Sequence, residues 1–191
     1  MRSLLAFAGL LAAMPLAAQL PVPRHAPEFV LNYNDGSTKL LSSYHGKAVA
    51  VIFLHTTCPH CQHASQVFSK LYTEYGPKGF QPLGVAWNDM AKMLVPDFVK
   101  SFGVNFPIAY SDRDKVLDYL GISPMVRSVV PQIIWIDRSG TIRSQTPPAG
   151  EESMLQEKYW REMIETLTSE TAASAKKAAK PHTPVPVKKT T

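Results

Sequence analysis

Cysteine is scarce in this chain of 191 residues, which has only two, Cys58 and Cys61. A scaffold built on disulfides needs several cysteine pairs, and a structural zinc site usually needs four ligands, so neither class fits. The sequence also has no apolar run of about 20 residues, the length that a membrane-spanning helix requires. Internal repeats and a second domain are absent as well. The two cysteines are therefore the most informative residues present.

Both cysteines lie in one motif, Cys58-Pro59-His60-Cys61, between an apolar stretch at 48–54 and a helical pattern that continues to about Tyr75. This setting places Cys58 at a helix N-terminus, where free backbone N–H groups and the helix dipole stabilise a thiolate. The thiolate is the reactive form of cysteine. Cys61, one turn later, can attack a mixed disulfide formed at Cys58. The motif predicts a redox-active dithiol whose only cofactor is its own disulfide, with no bound metal.

Other roles for the motif are less consistent with the sequence. A purely structural disulfide would close so short a loop that it would constrain the unfolded chain little. Haem attachment needs a histidine directly after the second cysteine, and residue 62 is glutamine. A soft-metal site that combines the cysteines with a nearby histidine stays as an alternative.

The N-terminal residues 1–18 resemble a secretory signal peptide. Arg2 supplies the positive start, 4–13 form a short apolar core, and Ala17-Ala18 are small residues suited to cleavage. We expect export to the bacterial periplasm, as a soluble protein after cleavage or an anchored one if the signal is retained. Dithiols in such compartments exchange disulfides with other proteins.

Charge is concentrated at the other end of the chain. The formal net charge is +5, and 170–191 contain five lysines and one acid, so the remainder is close to neutral. The segment 169–191 is rich in Ala, Lys, Pro and Thr and is predicted to be disordered, with at most a weak contact to anionic surfaces. The charge pattern does not indicate a nucleic-acid partner.

The intervening residues 26–168 are predicted to form one α/β domain, a central mixed sheet flanked by helices. Asn34-Asp35-Gly36 predicts an N-terminal β-hairpin between 29–33 and 38–41. Strands and helices then alternate, which is typical of a sheet covered on both faces. The further predicted strands are 48–54, 82–87, 106–110, 132–136 and 141–144, and the further helices are 91–102, 113–120 and 152–168.

The order of these motifs resembles the thioredoxin superfamily. The matching features are 26–29, the Asn-Asp-Gly hairpin, Gly46-Lys47, the strand leading into Cys-x-x-Cys, Val130-Pro131 and the segment 136–140. Within the superfamily the chain is similar to the exported TlpA/ResA-like branch, which is close to the peroxiredoxin (AhpC/TSA) group. The long step from Cys61 to Pro131 leaves room for the helix and strand inserted in that branch.

The resemblance implies a thiol-disulfide oxidoreductase. Pro131 is then the cis-proline facing the dithiol, and Val130 offers backbone hydrogen bonds to a bound peptide, with Thr57 also at the substrate. The implied partners are exported protein thiols or disulfides and a membrane or periplasmic redox partner.

Two departures from thioredoxin affect the expected chemistry. Thr57 replaces the tryptophan before the first cysteine, and Ile52 replaces a buried aspartate that shuttles protons. The pair Pro59-His60 together with Val130-Pro131 instead resembles the oxidase DsbA. A histidine beside the Cys58 thiolate would stabilise it and make the disulfide more oxidising. The scaffold favours a reductant and the dipeptide an oxidant, so the direction of exchange stays open.

Two alternative functions share parts of this sequence pattern. A peroxiredoxin-like peroxidase would carry threonine and proline three and seven residues before its cysteine, but this chain has His55 and Val51 there, and Arg127 is not securely placed as the required cation. A copper-binding thioredoxin-fold protein would use Cys58, Cys61 and a histidine as soft ligands.

Overall fold

The computed structural model describes residues 20–170, so the predicted signal peptide at 1–18 and the tail beyond Glu170 lie outside the described residues. Eight strands form one sheet: β1 (Arg24–His25), β2 (Val30–Asn32), β3 (Thr38–Leu40), β4 (Ala48–Leu54), β5 (Phe80–Ala86), β6 (Ile108–Tyr110), β7 (Gln132–Ile136) and β8 (Thr141–Gln145). Four α-helices accompany them: α1 (Pro59–Tyr75), α2 (Ala91–Phe102), α3 (Arg113–Leu120) and α4 (Glu157–Ser169).

The sheet is mixed, in the order β1-β8-β7-β4-β5-β6-β2-β3. The central strand β4 pairs in parallel with β5 and antiparallel with β7. Strands β5 and β6 are parallel, as expected for strands joined through a helix. The hairpin of β2 and β3 is antiparallel and joins the far edge through β6. The predicted α/β fold with a mixed central sheet and an N-terminal hairpin is confirmed.

The sheet is buried on both faces because apolar residues fill every position of β4. Ala50, Ile52 and Leu54 face the core formed with α1, α2 and α4. Val51 and Phe53 face the second core, which includes residues of α3. A strand enclosed in this way reads as a continuous apolar run, which is why the sequence pattern identified it without ambiguity.

The last helix differs from the prediction at its start. A single 3₁₀ turn covers Glu152–Leu155, and α4 begins only at Glu157. The helix extends through Ser169, and Glu170 forms an ion pair with Arg143 at 2.8 Å. Residues 169 and 170, which the prediction assigned to the tail, are therefore ordered parts of the domain. Within residues 20–170, no helix combines the length and apolar character needed to cross a bilayer.

Candidate functional site

The dithiol lies at the N-terminus of α1, directly after the central strand. Cys58 is the residue that caps the helix, and Pro59 occupies its first turn. Proline is favoured at this position because its missing N–H would have no intrahelical partner. The backbone oxygen of Cys58 accepts from the N–H of Gln62 at 3.0 Å. The predicted setting of the motif, from strand into helix, is thus present.

The two thiols have different environments. Cys58 is half-buried, and its Sγ lies 3.8 Å from the backbone oxygen of Val130. Cys61 is fully buried, in the same core as Ile52 and Ala64. Burial raises the pKa of the Cys61 thiol, since a thiolate there would lose its hydration, and the neighbouring Cys58 adds to the effect. A backbone hydrogen bond from His55 partly opposes it. Cys58 is therefore the accessible thiol and Cys61 the shielded one.

The proline loop faces the dithiol as the sequence resemblance implied. The peptide bond between Val130 and Pro131 is cis, Pro131 is buried and Val130 is partly exposed. The side chain of Gln132 holds this loop, because its Nε2 donates to the carbonyl oxygens of Val129 at 2.9 Å and Pro147 at 3.2 Å. Thr57, Pro59 and His60 are exposed around Cys58. The structure thus places all the predicted site residues close together, and their roles in catalysis and substrate binding stay predictions.

Asn88 is a supporting residue that the sequence reasoning missed. Its Oδ1 accepts from the backbone N–H of Thr56 at 2.9 Å, and its Nδ2 donates to the Thr56 hydroxyl at 3.1 Å. Gln62 reaches the same loop, donating from Nε2 to the Thr56 carbonyl at 3.0 Å. These contacts fix the loop that presents Cys58. A polar residue directly after a buried strand was the available signal for Asn88.

His55 lies on the side of the sheet that α1 does not cover. Its ring contacts Trp87 edge to face, with centroids 4.4 Å apart. Burial lowers the pKa of His55, and the charge of Asp89 opposes the shift. The position that would hold threonine in a peroxiredoxin is thus occupied by an imidazole in edge-to-face contact with an indole.

Two grooves flank the dithiol. The α4-side groove, about 650 Å³ in volume, runs past His60, Pro131 and the residues 149–157. The α2-side groove, about 760 Å³, runs past Thr57, residues 87–90 and the loop 124–128. Within residues 20–170, no cluster of three or more His, Cys, Asp or Glu side chains is arranged to hold a metal ion.

The fold and the Cys-x-x-Cys motif facing a cis-proline define a thioredoxin-fold protein. The AhpC/TSA family matches residues 22–145, and the chain belongs to that family. The predicted likeness to the TlpA/ResA branch of the thioredoxin superfamily is confirmed.

Similar proteins support this classification. The thiol-disulfide oxidoreductase ResA of Geobacillus thermodenitrificans is 32% identical over 118 residues, which cover 62% of this chain and 64% of that protein. ResA of Bacillus subtilis is 33% identical over 100 residues, covering 52% of this chain and 55% of that protein. The aligned part thus spans less than two thirds of these relatives.

Solved structures share the fold. A thiol:disulfide interchange protein of the thioredoxin family from Chlorobium tepidum has a TM-score of 0.63 at 21% identity, covering 78% of this chain and 98% of that one. A thiol:disulfide interchange protein from Bacteroides sp. has a TM-score of 0.64 at 20% identity, covering 81% and 93%.

Proposed function

We propose that the chain is an oxidoreductase that exchanges disulfides with other proteins through Cys58 and Cys61. The observation that carries the proposal is the asymmetry of the pair. Cys58 is half-buried at the N-terminus of α1, facing the Val130 carbonyl oxygen, and Cys61 is fully buried one turn later. An accessible nucleophile and a shielded second thiol are what two-step exchange requires. The names of the ResA relatives agree with this chemistry.

Reduction of a substrate disulfide proceeds in two displacements. The Cys58 thiolate attacks one substrate sulfur, the substrate S–S bond breaks, and the departing thiolate takes a proton from water. Cys61 then gives up its proton and attacks the Cys58 sulfur, releasing the second substrate thiol. Two electrons pass to the substrate, and the chain retains the Cys58–Cys61 disulfide. Oxidation of a substrate dithiol is the same sequence in reverse.

The cellular setting is also part of the proposal. The signal-like segment at 1–18 supports export, in which case the substrates are exported protein thiols or disulfides. A membrane or periplasmic redox partner would restore the dithiol or the disulfide after each turnover. The peroxidase alternative does not gain from the site, since His55 and Val51 occupy the positions of the peroxidase threonine and proline.

The test is an equilibrium titration of the full chain in glutathione buffers, with alkylation to count free thiols. A two-electron transition that includes both cysteines is expected. A potential near about −270 mV would make the chain a reductant and one near about −120 mV an oxidant. Absence of a Cys58–Cys61 disulfide under oxidising buffers would contradict the proposal.

A further inference from the structure

The two grooves beside Cys58 differ in charge. They lie on the α4 side and the α2 side of the dithiol, and the loop at 124–131 contributes to both. A polypeptide long enough to occupy both grooves would cross Cys58 at its middle. Backbone hydrogen bonds at Val130 would fix its chain direction, so the charges along the grooves would decide which of two reversed sequences binds better.

The α4-side groove is acidic. Glu151, Glu152 and Glu157 line it and are exposed, while the described residues that line it include neither lysine nor arginine. Glu157 is partly neutralised, since it pairs with Arg161 at 2.8 Å. Glu151 accepts only from the Ser153 hydroxyl, and the described residues give Glu152 no ion pair. Two uncompensated carboxylates therefore face a groove whose floor includes the apolar side chain of Trp160.

The α2-side groove is lined by two arginines, Arg113 and Arg127, and one acid, Asp89. Arg113 is partly neutralised, since it pairs with the adjacent Asp114 at 3.5 Å. Arg127 is exposed, and it forms no ion pair within residues 20–170. Trp87, only 8% exposed, also lines the groove, and its buried Nε1 is not accessible to an occupant.

Exposed methionines border the same groove. Met125 is 93% exposed and Met90 is 65% exposed. Methionine adapts its shape to varied apolar partners, so these side chains suit contact with a range of substrate residues. The groove thus offers apolar contact together with the positive charge of Arg127.

We propose that the substrate is a bipolar segment of polypeptide, with basic residues on one side of its reactive cysteine and acidic residues on the other. The basic side lies in the α4-side groove against Glu151 and Glu152, and the acidic side lies in the α2-side groove against Arg127. This inference rests on the proposed exchange activity and names its substrate class. Charge complementarity at a rim acts mainly on association rate and orientation, so it selects among substrates without altering the chemistry at Cys58.

The experiment compares two blocked peptides of equal composition, Lys-Lys-Ala-Cys-Ala-Glu-Glu and its reversed sequence. Each cysteine is supplied as a mixed disulfide with 2-mercaptoethanol, which is uncharged. The reduced full-length chain is added, and release of peptide thiol is followed. At low salt, the two rates should differ by about threefold or more, as two charge contacts predict. The difference should vanish at about 0.5 M NaCl, because the Debye length there is only about 4 Å and charges at the surface are screened.

Charge-removing variants locate the effect. The double variant Glu151→Gln/Glu152→Gln should bring the ratio of the two peptide rates close to one, and so should Arg127→Gln. Arg127→Gln is used alone because Arg113 also donates to the Pro124 carbonyl and so supports its loop. The matched control Asp97→Asn/Glu162→Gln removes two exposed acids away from both grooves and should leave the ratio unchanged.

Each outcome decides a different point. Reaction of the unmodified chain with neutral hydroxyethyl disulfide shows that the dithiol is active, and no reaction there would mean that the proposed function itself fails. If hydroxyethyl disulfide reacts but the two peptides have equal rates, the bipolar substrate is wrong. Equal loss of the ratio in the control variant would also overturn it, because a general charge effect would then explain the preference.

Discussion

The burial of Cys61 sets the chemistry of the site at the scale of single residues. The thiol is enclosed with Ile52 and Ala64, and its pKa is raised because the core withholds solvent from a thiolate. A group whose pKa is higher in the folded than in the unfolded chain stabilises the fold below the unfolded pKa. That stabilisation is lost as the pH rises toward the folded value. The rate of disulfide exchange and the free energy of unfolding should therefore both change at alkaline pH.

The stability effect can be isolated in chains that cannot form the disulfide. We expect Cys58→Ser to lose free energy of unfolding above about pH 8.5, by up to about 1.4 kcal/mol per pH unit, because unfolding lets Cys61 ionise. Urea denaturation between about pH 7.5 and 10 measures this. Cys58→Ser/Cys61→Ala is the control, and its free energy of unfolding should not show the part of the fall with pH that comes from Cys61. If the free energy of unfolding falls equally with pH in the two variants, the raised pKa of Cys61 is contradicted.

His60 is exposed beside Cys58, at the N-terminus of α1. If its side chain stabilises the Cys58 thiolate, His60→Ala should make the disulfide less oxidising, shifting the potential by about 20–60 mV to more negative values. Titration in glutathione buffers measures the shift. His63→Ala, one turn further along and also exposed, is the control and should change the potential less. An unchanged potential in His60→Ala would leave His60 without an electrostatic role.

At the scale of elements, the loop between β4 and α1 is held by the loop that follows β5. Asn88 bonds both the backbone N–H and the hydroxyl of Thr56, which is only 6% exposed. Gln62 ties the same loop back to α1. The position of Cys58 thus depends on hydrogen bonds between the loops that follow two neighbouring parallel strands.

Asn88→Ala should destabilise the chain by about 1–3 kcal/mol, because it leaves the buried Thr56 N–H without an acceptor. Asn88→Asp is the matched control, since it keeps the acceptor oxygen and should lose less. Urea denaturation of the two variants gives the comparison. Equal stability of Asn88→Ala and the unmodified chain would mean that another group or water replaces the contact.

The sequence predicted those elements whose pattern arises within one segment. The buried strand at 48–54, the helices at 91–102 and 113–120, and the Asn-Asp-Gly hairpin all match the structure. Strand β1 was missed, because two residues have no periodicity and Arg24 and His25 are strand only through pairing with β8. The break before Glu157 was also missed, since apolar spacing continues through the 3₁₀ turn.

The residues of the site also divide into those that the sequence predicted and those that only the folded structure shows. Cys58 and Cys61 were identified from their spacing, and Pro131 from the order of motifs in the family. Gln132 acts through contacts that include a segment distant in sequence, so local patterns gave it no distinctive signature. For Asn88, the only local signal was a polar residue after a predicted buried strand, and its contact with Thr56 is distant in sequence. The charges of the two grooves come together only when 151–157 and 113–127 are folded around α1.

At the scale of the whole molecule, an aromatic cluster joins the helix that carries the dithiol to the sheet and to α4. Phe68 of α1 is fully buried and stacks on Trp160 with centroids 4.6 Å apart. It also contacts Trp135 of β7 at 6.0 Å. Aromatic contacts of this kind add to the stabilisation from burial itself. One side chain thus connects three elements of the fold, α1, α4 and β7.

Phe68→Ala should cost about 3–5 kcal/mol in free energy of unfolding, since it leaves a cavity at the centre of this cluster. Phe68→Leu retains most of the volume and should cost markedly less. Phe102→Ala, at a partly exposed position of α2, is the control and should also cost less. Urea denaturation of the reduced chains measures all three, and a small loss in Phe68→Ala would contradict the proposed role of the cluster.

The central claim is that Cys58 attacks substrate disulfides and Cys61 resolves the mixed disulfide, and trapping tests it most directly. Cys61→Ser and Cys58→Ser chains are each incubated with a disulfide-containing protein, quenched with acid and mapped by mass spectrometry. Cys61→Ser should accumulate a mixed disulfide at Cys58, because no second thiol can release it. Cys58→Ser should accumulate almost none, since Cys61 is fully buried. Efficient trapping at Cys61 and none at Cys58 would contradict the account.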